Sequence, residues 1–203
     1  MYYRILIFVI YLLSFPVHAQ EKTILILGDS LSAAYGIPVE GGWVSLLEQR
    51  IVRQNLEYKV VNASISGETT IGVKTRLAKL LRQHKPELVI IELGANDGLR
   101  GFSLTEIEQN LSTIVAEIKQ SNVEVLLVPM QLPPNYGAAY NERFMSIYKT
   151  VAEKQNVNLS VFILKDIAQD PELMQTDGLH PLQAAQIMML DNLWPSLEAI
   201  ILK

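Results

Sequence analysis

Short apolar runs alternate with amphipathic segments along most of the chain. Runs that are apolar at every position are typical of strands buried on both faces of a parallel sheet. Segments with apolar residues every three or four positions are typical of helices that pack one face on a core. The pattern predicts strands at 24–27, 58–63, 88–93, 123–128 and 159–164. It predicts helices at 43–52, 69–84, 104–120, 140–155 and 181–201, the last kinked or shortened by Pro195.

This alternation implies a three-layer α/β/α fold around a five-stranded parallel sheet with right-handed crossovers. The chain has 203 residues, of which 49% are hydrophobic and 19% charged. That length and composition suit one folded domain with its own core. No repeat, low-complexity segment or linker interrupts the pattern, so a single domain is predicted over residues 20–203.

The N-terminal segment 1–19 has the pattern of an export signal. Arg4 supplies positive charge, an apolar run follows over 5–13, and Val17-His18-Ala19 resembles a cleavage site before Gln20. We expect cleavage there, export to the periplasm, and no stable membrane anchor on the mature chain. The alternative is an uncleaved anchor, but the run is short of the roughly 20 residues that a membrane span needs. Such a signal does not distinguish the periplasm from full secretion.

Charge and cysteine content exclude several classes of function. The formal net charge is −4 and no basic cluster occurs, which argues against nucleic acid as a partner. The chain has no cysteine, which excludes disulfides, a cysteine nucleophile, a thiolate metal site and a lipid-modified cysteine anchor.

The candidate chemistry lies after the predicted strands, where ligands bind in parallel sheets. Ser30 follows the first strand, at a turn expected to begin a helix over 31–35. A serine there exposes its hydroxyl and keeps its own N–H free as a donor. It suits a nucleophile, because attack creates an oxyanion beside that donor. The alternative is that Asp29 and Ser30 only cap the turn.

A serine nucleophile needs a base, and after the export signal the histidines are His84 and His180. His84 ends a predicted helix, away from the carboxyl ends of the strands, and is expected to be solvated. His180 precedes Pro181, which suits the first position of a helix. Asp177 lies three residues earlier, so its carboxylate can orient the imidazole and stabilise the imidazolium. An ordinary turn at Asp177 and an N-cap at His180 are the alternatives.

Donors for an oxyanion occur at the same edge. Gly67 presents its N–H without a side chain in the way. Asn96 lies between Gly94 and Gly98 after the third strand, and its amide is a donor. With the Ser30 N–H they make three candidate donors. Glycine and asparagine are also common turn residues, but four such sites in order at strand ends favour acyl transfer.

These segments resemble the four sequence blocks of the SGNH (GDSL) hydrolases, in the family's order. The matching segments are Gly28-Asp29-Ser30-Leu31, Ser64-Ile65-Ser66-Gly67-Glu68-Thr69, Gly94-x-Asn96-Asp97 and Asp177-x-x-His180. The likeness spans nearly all of the mature chain. It is stronger still to bacterial periplasmic thioesterase and lysophospholipase members, which are similar over 61–67 and 92–102 except at Ala95, where they have glycine. Ser30 does not lie in the G-x-S-x-G elbow of α/β-hydrolases.

The resemblance implies a flavodoxin-like fold and a serine hydrolase without metal or cofactor. It implies a catalytic triad of Ser30, Asp177 and His180, with an oxyanion hole made by Ser30, Gly67 and Asn96. We expect a monomer that cleaves acyl esters and thioesters, with lysophospholipids among its substrates. An acyl-chain groove is predicted from apolar residues on strand-end loops: Leu99, Phe102, Leu132, Pro133 and Tyr136.

Alternatives remain open from the sequence alone. The loop residues named for the groove are equally suited to packing against the domain. An esterase of the same family acting on short acetyl or carbohydrate esters has the same motifs. A non-catalytic exported binding protein and a flavoprotein are alternatives of other classes.

Overall fold

A computed structural model describes residues 21–203, and the predicted export signal lies outside them. The sheet contains β1 (Lys22–Gly28), β2 (Tyr58–Asn62), β3 (Leu88–Glu92), β4 (Glu124–Leu127) and β5 (Asn158–Leu159). All neighbouring strands are parallel, in the order β2-β1-β3-β4-β5. This is the flavodoxin-like order of doubly wound sheets. The predicted α/β fold with a five-stranded parallel sheet is confirmed.

Helices cover both faces of this sheet. They are α1 (Trp43–Arg53), α2 (Thr70–His84), α3 (Ala95–Leu99), α4 (Leu104–Gln120), α5 (Ala138–Gln155) and α6 (Gln186–Ile201), with short 3₁₀ turns at Val39–Gly41, Pro134–Tyr136 and Gln183–Ala185. The connection through α1 leads from β1 to β2, at one edge of the sheet, whereas the later connections lead toward β5 at the other edge. Because both kinds of connection are right-handed, α1 lies on one face of the sheet and the helices of the later connections lie on the opposite face. Accordingly α1 packs with α6, and α4 packs with both α2 and α5. Within residues 21–203 no helix is both long and apolar enough to cross a membrane.

The central strands are apolar because helices bury both of their faces. Residues 24–27 of β1 and 89–91 of β3 have no exposed surface, which accounts for their uninterrupted apolar runs. The edge strand β2 is only partly buried, and its sequence mixes apolar with polar residues. The carboxyl ends of β1 and β3 are adjacent, with Gly28 paired to Glu92.

Two segments near the site have conformations that differ from the prediction. The predicted helix over 31–35 is wrong: residues 30–36 form consecutive turns. Ala34 and Gly36 have φ of 57° and 75°, which a right-handed helix does not allow. The short helix α3 was not predicted, because Gly94 before it and Gly98 within it favour a turn in the sequence.

The C-terminal third also differs from the prediction. Strand β5 ends at Leu159 rather than 164, and the apolar residues Ile163 and Leu164 are buried in a loop instead. Helix α6 begins at Gln186 rather than at 181, because Pro181 forms an antiparallel bridge with Met174. Pro195 lies inside α6 without ending it.

Candidate active site

The turn after β1 and a loop before α6 bring three sequence-predicted residues together. Ser30 Oγ lies 2.9 Å from His180 Nε2, and His180 Nδ1 lies 2.7 Å from Asp177 Oδ2. These distances are those of a nucleophile, its base and the group that orients the base. His84 ends α2 near the amino end of β3, at the other end of the sheet.

The loop that carries Asp177 and His180 is closed by backbone hydrogen bonds. The Gln175 N–H donates to the His180 carbonyl at 2.7 Å, and the Leu182 N–H donates to the Leu173 carbonyl at 2.7 Å. His180 therefore lies on the returning arm of a small hairpin-like loop, not at a helix start. The expectation that Pro181 begins a helix is wrong, because Pro181 belongs to this loop.

The Asp177 carboxylate accepts three hydrogen bonds from the histidine loop. Its Oδ1 accepts the N–H groups of Leu179 and His180 at 2.9 and 3.0 Å, and its Oδ2 accepts from the imidazole. Burial acts to raise the pKa of Asp177, but the hydrogen bonds from the His180 ring and from both N–H groups outweigh it and lower the pKa to about 2. The ionised carboxylate accepts from Nδ1–H, which leaves Nε2 to accept from the Ser30 hydroxyl.

Tyr35 contacts the base and was not found from the sequence. Its ring lies 4.4 Å from the His180 ring, centroid to centroid, with 38° between the planes. Gln175 Nε2 donates to the Tyr35 carbonyl at 2.9 Å, which ties this turn to the histidine loop. No motif or spacing in the sequence marked Tyr35.

Asn96 is positioned by the short helix α3 and by Asp29. Gly94 precedes the helix with φ of 110°, and a Cβ there would lie 2.4 Å from the Tyr148 hydroxyl. Asn96 Nδ2 donates to Asp29 Oδ2 at 3.0 Å. An amide nitrogen carries two hydrogens, so one N–H of Asn96 remains for a ligand.

The other candidate donors are backbone groups. Among residues 21–203, the N–H groups of Ser30 and Gly67 donate to no other group. Gly67 has φ of 78°, and its carbonyl accepts from Arg100 Nη2 at 2.9 Å. The loop that carries Gly67 is tied to the Ser30 turn, because the Ile65 N–H donates to the Gly28 carbonyl at 3.1 Å.

A buried carboxyl pair underlies these groups. Glu92 has no exposed surface and Asp29 has 2%. Burial raises the pKa of Asp29 to about 6; burial and then the charge of Asp29 raise the pKa of Glu92 well above its ordinary value. The sequence did carry a signal for Glu92, since it is the one charged residue in the apolar run 88–93.

Ser30, Asn96 and His180 line a cavity of about 140 Å³ with mostly apolar walls. Those walls include Leu99, Met130, Leu132, Pro133, Phe162, Leu164 and Leu179. A second cavity of about 150 Å³ shares several of these residues and continues to Ala168 and Met174. Phe162, Leu164 and Leu179 were not singled out from the sequence.

Two predicted groove residues lie elsewhere. Phe102 and Tyr136 line a separate depression with Tyr140. The Phe102 N–H donates to the Asp97 carbonyl at 3.0 Å, and the Tyr136 hydroxyl donates to the Leu99 carbonyl at 3.1 Å. These bonds hold both residues at the end of α3, outside the cavity of Ser30.

No three His, Asp or Glu side chains in the described range come together as metal ligands.

The sequence and the fold are both similar to those of known proteins. The model of the GDSL-like lipase/acylhydrolase family matches residues 26–186. An arylesterase of Vibrio mimicus is 48% identical over 174 residues, 86% of each chain. The thioesterase 1/protease 1/lysophospholipase L1 of Escherichia coli is 42% identical over 183 residues, 90% of this chain and 86% of the relative. The crystal structure of the esterase EstA from Pseudoalteromonas sp., inhibited by monoethylphosphonate, has a TM-score of 0.85 at 43% identity and covers 90% of this chain and 100% of that one.

Proposed function

This chain belongs to the GDSL-like lipase/acylhydrolase family and is an ester hydrolase, and on that premise we propose that it cleaves carboxylic esters and thioesters of acyl chains through an acyl-enzyme on Ser30. The observation that carries the proposal is the hydrogen-bonded series Ser30–His180–Asp177 at an apolar cavity. A non-catalytic binding protein or a flavoprotein has no need of that series.

In the acylation step, Ser30 Oγ attacks the carbonyl carbon while His180 Nε2 takes its proton. The developing oxyanion accepts hydrogen bonds from the Ser30 and Gly67 N–H groups and from the Asn96 amide. The bond to the leaving oxygen or sulfur then breaks, and His180 returns the proton to the alcohol or thiol. Asp177 stays ionised and stabilises the imidazolium throughout.

Deacylation repeats the same steps with water as the nucleophile. His180 takes a proton from water, which attacks the acyl carbon, and returns that proton to Ser30 Oγ as the acid leaves. The tilted contact of Tyr35 with the imidazole supports this role, because it limits ring rotation between the two half-reactions.

The acyl chain is proposed to lie along the apolar walls next to Ser30. Leu99, Leu132 and Pro133 line that cavity, and Leu179 lines both it and its continuation. A chain longer than the first cavity would extend toward Met174. A short-chain esterase is the second candidate, because the first cavity alone has only about 140 Å³.

We also propose that residues 1–19 direct export, that 20–203 act as one monomeric domain, and that the enzyme works in the periplasm. Acyl-CoA is not expected outside the cytoplasm, so a lysophospholipid or another acyl ester is the proposed substrate there. Rates on lysophospholipids and on esters and thioesters of increasing chain length will decide between the two candidates. A maximum at acetyl esters would favour the short-chain enzyme.

The nucleophile is tested by substitution and by covalent labelling. Ser30→Ala should lower kcat for a chromogenic ester by roughly three or more orders of magnitude. Ser146→Ala is the matched control, because its exposed hydroxyl donates only to the Arg143 carbonyl within α5. A serine-directed phosphonate should add to Ser30, as seen by peptide mass spectrometry. An adduct on Ser32 or Ser64 would refute the assignment.

A further inference from the structure

Glu92 is a buried carboxyl group that the proposed chemistry leaves without a role. It ends β3 beside Gly28 of β1 and has no exposed surface. Its Oε2 accepts the Ser32 hydroxyl at 2.7 Å and the Asp29 N–H at 3.3 Å. Its Oε1 is buried and has no hydrogen-bond partner among residues 21–203. A buried polar atom without a partner requires an explanation, because such atoms are costly.

The hydrogen bonds of Asp29 identify it as the ionised member of the pair. Its Oδ1 accepts the Leu31 N–H and its Oδ2 accepts Asn96 Nδ2, both at 3.0 Å. Two adjacent buried carboxyl groups cannot both be ionised without a cation. No lysine or arginine among residues 21–203 forms an ion pair with either group. The pair therefore retains one proton, and Glu92, with no N–H donor on Oε1, carries it.

The other titratable groups around the pair do not change this assignment. His180 lies on the cavity side, and when it is an imidazolium its charge favours ionised Asp29. Tyr148 of α5 and Asp97 of α3 lie on the core side, where Tyr148 donates to the Leu93 carbonyl and Asp97 accepts from Thr70. A proton on Glu92 neutralises the buried group and makes its carboxyl a hydrogen-bond donor beside Asp29, whose own N–H donates to Glu92 Oε2 at 3.3 Å.

We propose that Glu92 is a positioning residue: as the neutral acid it donates a hydrogen bond to Asp29, which in turn holds the Asn96 amide in place for the oxyanion. This inference rests on the proposed function, in which Asn96 is an oxyanion donor. Glu92 touches no substrate and acts only through Asp29. The proton stays on Glu92 during turnover.

Two substitutions of similar length separate the neutral acid from a carboxylate. Glu92→Gln keeps an acceptor for Ser32 and a donor for Asp29, so kcat should stay within roughly threefold. Glu92→Met removes both, and kcat should fall roughly ten- to a hundredfold at unchanged KM, a loss of the size found when the outer hydrogen-bond partner of a metal ligand is removed. Glu87→Met is the control, because Glu87 accepts the Thr23 N–H at the opposite end of the same two strands.

The proposal requires that the effect of Glu92 on kcat depends on Asn96, and a double mutant tests this dependence. If Glu92 acts by positioning Asn96, Glu92→Met should lower kcat no further in an Asn96→Ala background. If Glu92 matters only for packing, the two losses multiply, and that result overturns the inference. If Asn96→Ala alone leaves kcat unchanged, the proposed oxyanion hole itself is wrong.

The protonation state has a readout that does not depend on the folding of Glu92→Met. The infrared spectrum of the wild type at pH 7 should contain the band of a protonated carboxyl group, and that band should be absent in Glu92→Gln. Absence of the band in the wild type, or a tenfold or greater loss of kcat in folded Glu92→Gln, would overturn the inference.

Discussion

Substitution of Asn96 by alanine tests the oxyanion hole most directly, because this side chain has two separable hydrogen bonds. One amide N–H is bound to Asp29 at 3.0 Å in the resting enzyme, and the other is free for the substrate oxygen. The free N–H acts only when negative charge develops on that oxygen. Its loss should therefore lower kcat and leave KM within about twofold.

Loss of one hydrogen bond should affect kcat, and loss of the other should affect stability. Removing one oxyanion donor raises the barrier by about 2.7–4 kcal/mol, which is a loss of 10²–10³ in kcat. Removing the bond to the buried Asp29 carboxylate should lower the free energy of unfolding by about 1.5–3 kcal/mol, the usual contribution of a hydrogen bond to a charged group. A domain with about 5–15 kcal/mol of stability remains folded after that loss.

Steady-state hydrolysis of a chromogenic ester and urea unfolding measure these effects separately. Asn110→Ala is the matched control: Asn110 is a buried asparagine that donates to Thr70 and accepts from Lys74. It should lose stability without a comparable loss of kcat. An Asn96→Ala enzyme that shows only a higher KM, or that unfolds, would refute the oxyanion role of Asn96.

Three further predictions concern pH and metals. Asp177→Asn removes the carboxylate that stabilises the imidazolium, so kcat should fall roughly 10³–10⁴-fold and the rising limb of the pH–rate profile should move to lower pH; an unmoved limb would contradict the triad. Hydrolysis should persist in excess EDTA, and activity lost to EDTA and restored by a divalent ion would disprove the serine mechanism. Glu92 has a raised pKa in the folded state, so the folded wild type holds a proton that the unfolded chain releases above pH 4.5. The stability of the wild type relative to Glu92→Gln should therefore fall as pH rises from that value, by at most about 1.4 kcal/mol per pH unit in urea titrations; a pH-independent difference would contradict the raised pKa.

The layers of the fold follow from local pattern alone. Uninterrupted apolar runs predicted β1 and β3, because both faces of a central strand are buried in such a sheet. Helical spacing of apolar residues predicted α2 and α4 closely. These signals are carried by neighbouring residues and need no knowledge of the rest of the chain. The end of β5 was not predicted, because an apolar run does not distinguish a strand from a buried loop.

The candidate site was predicted because its parts lie at strand ends, where a parallel sheet brings distant residues to one edge. The four segments that resemble the SGNH hydrolases contain these same residues. Their mutual geometry is a matter of tertiary structure: Ser30 and His180 lie 150 residues apart in sequence and 2.9 Å apart in space. The conformation of the histidine loop likewise depended on a bridge between Met174 and Pro181 that no local pattern indicates.

The sequence by itself determined the layers, the family and the residues of the hydrogen-bonded series, since apolar periodicity and short motifs are local properties. Only the tertiary structure separated Leu132, which lines the cavity of Ser30, from Phe102, which lines another depression. Both are apolar loop residues, but the Phe102 N–H is held by the Asp97 carbonyl at the end of α3, whereas the Leu132 N–H is held by Asn141 Oδ1 of α5. Only the tertiary structure also placed Glu92 against Asp29, because the pairing of β1 with β3 joins residues 63 positions apart. Chemical environment, unlike residue type, is set by what the fold packs around a side chain.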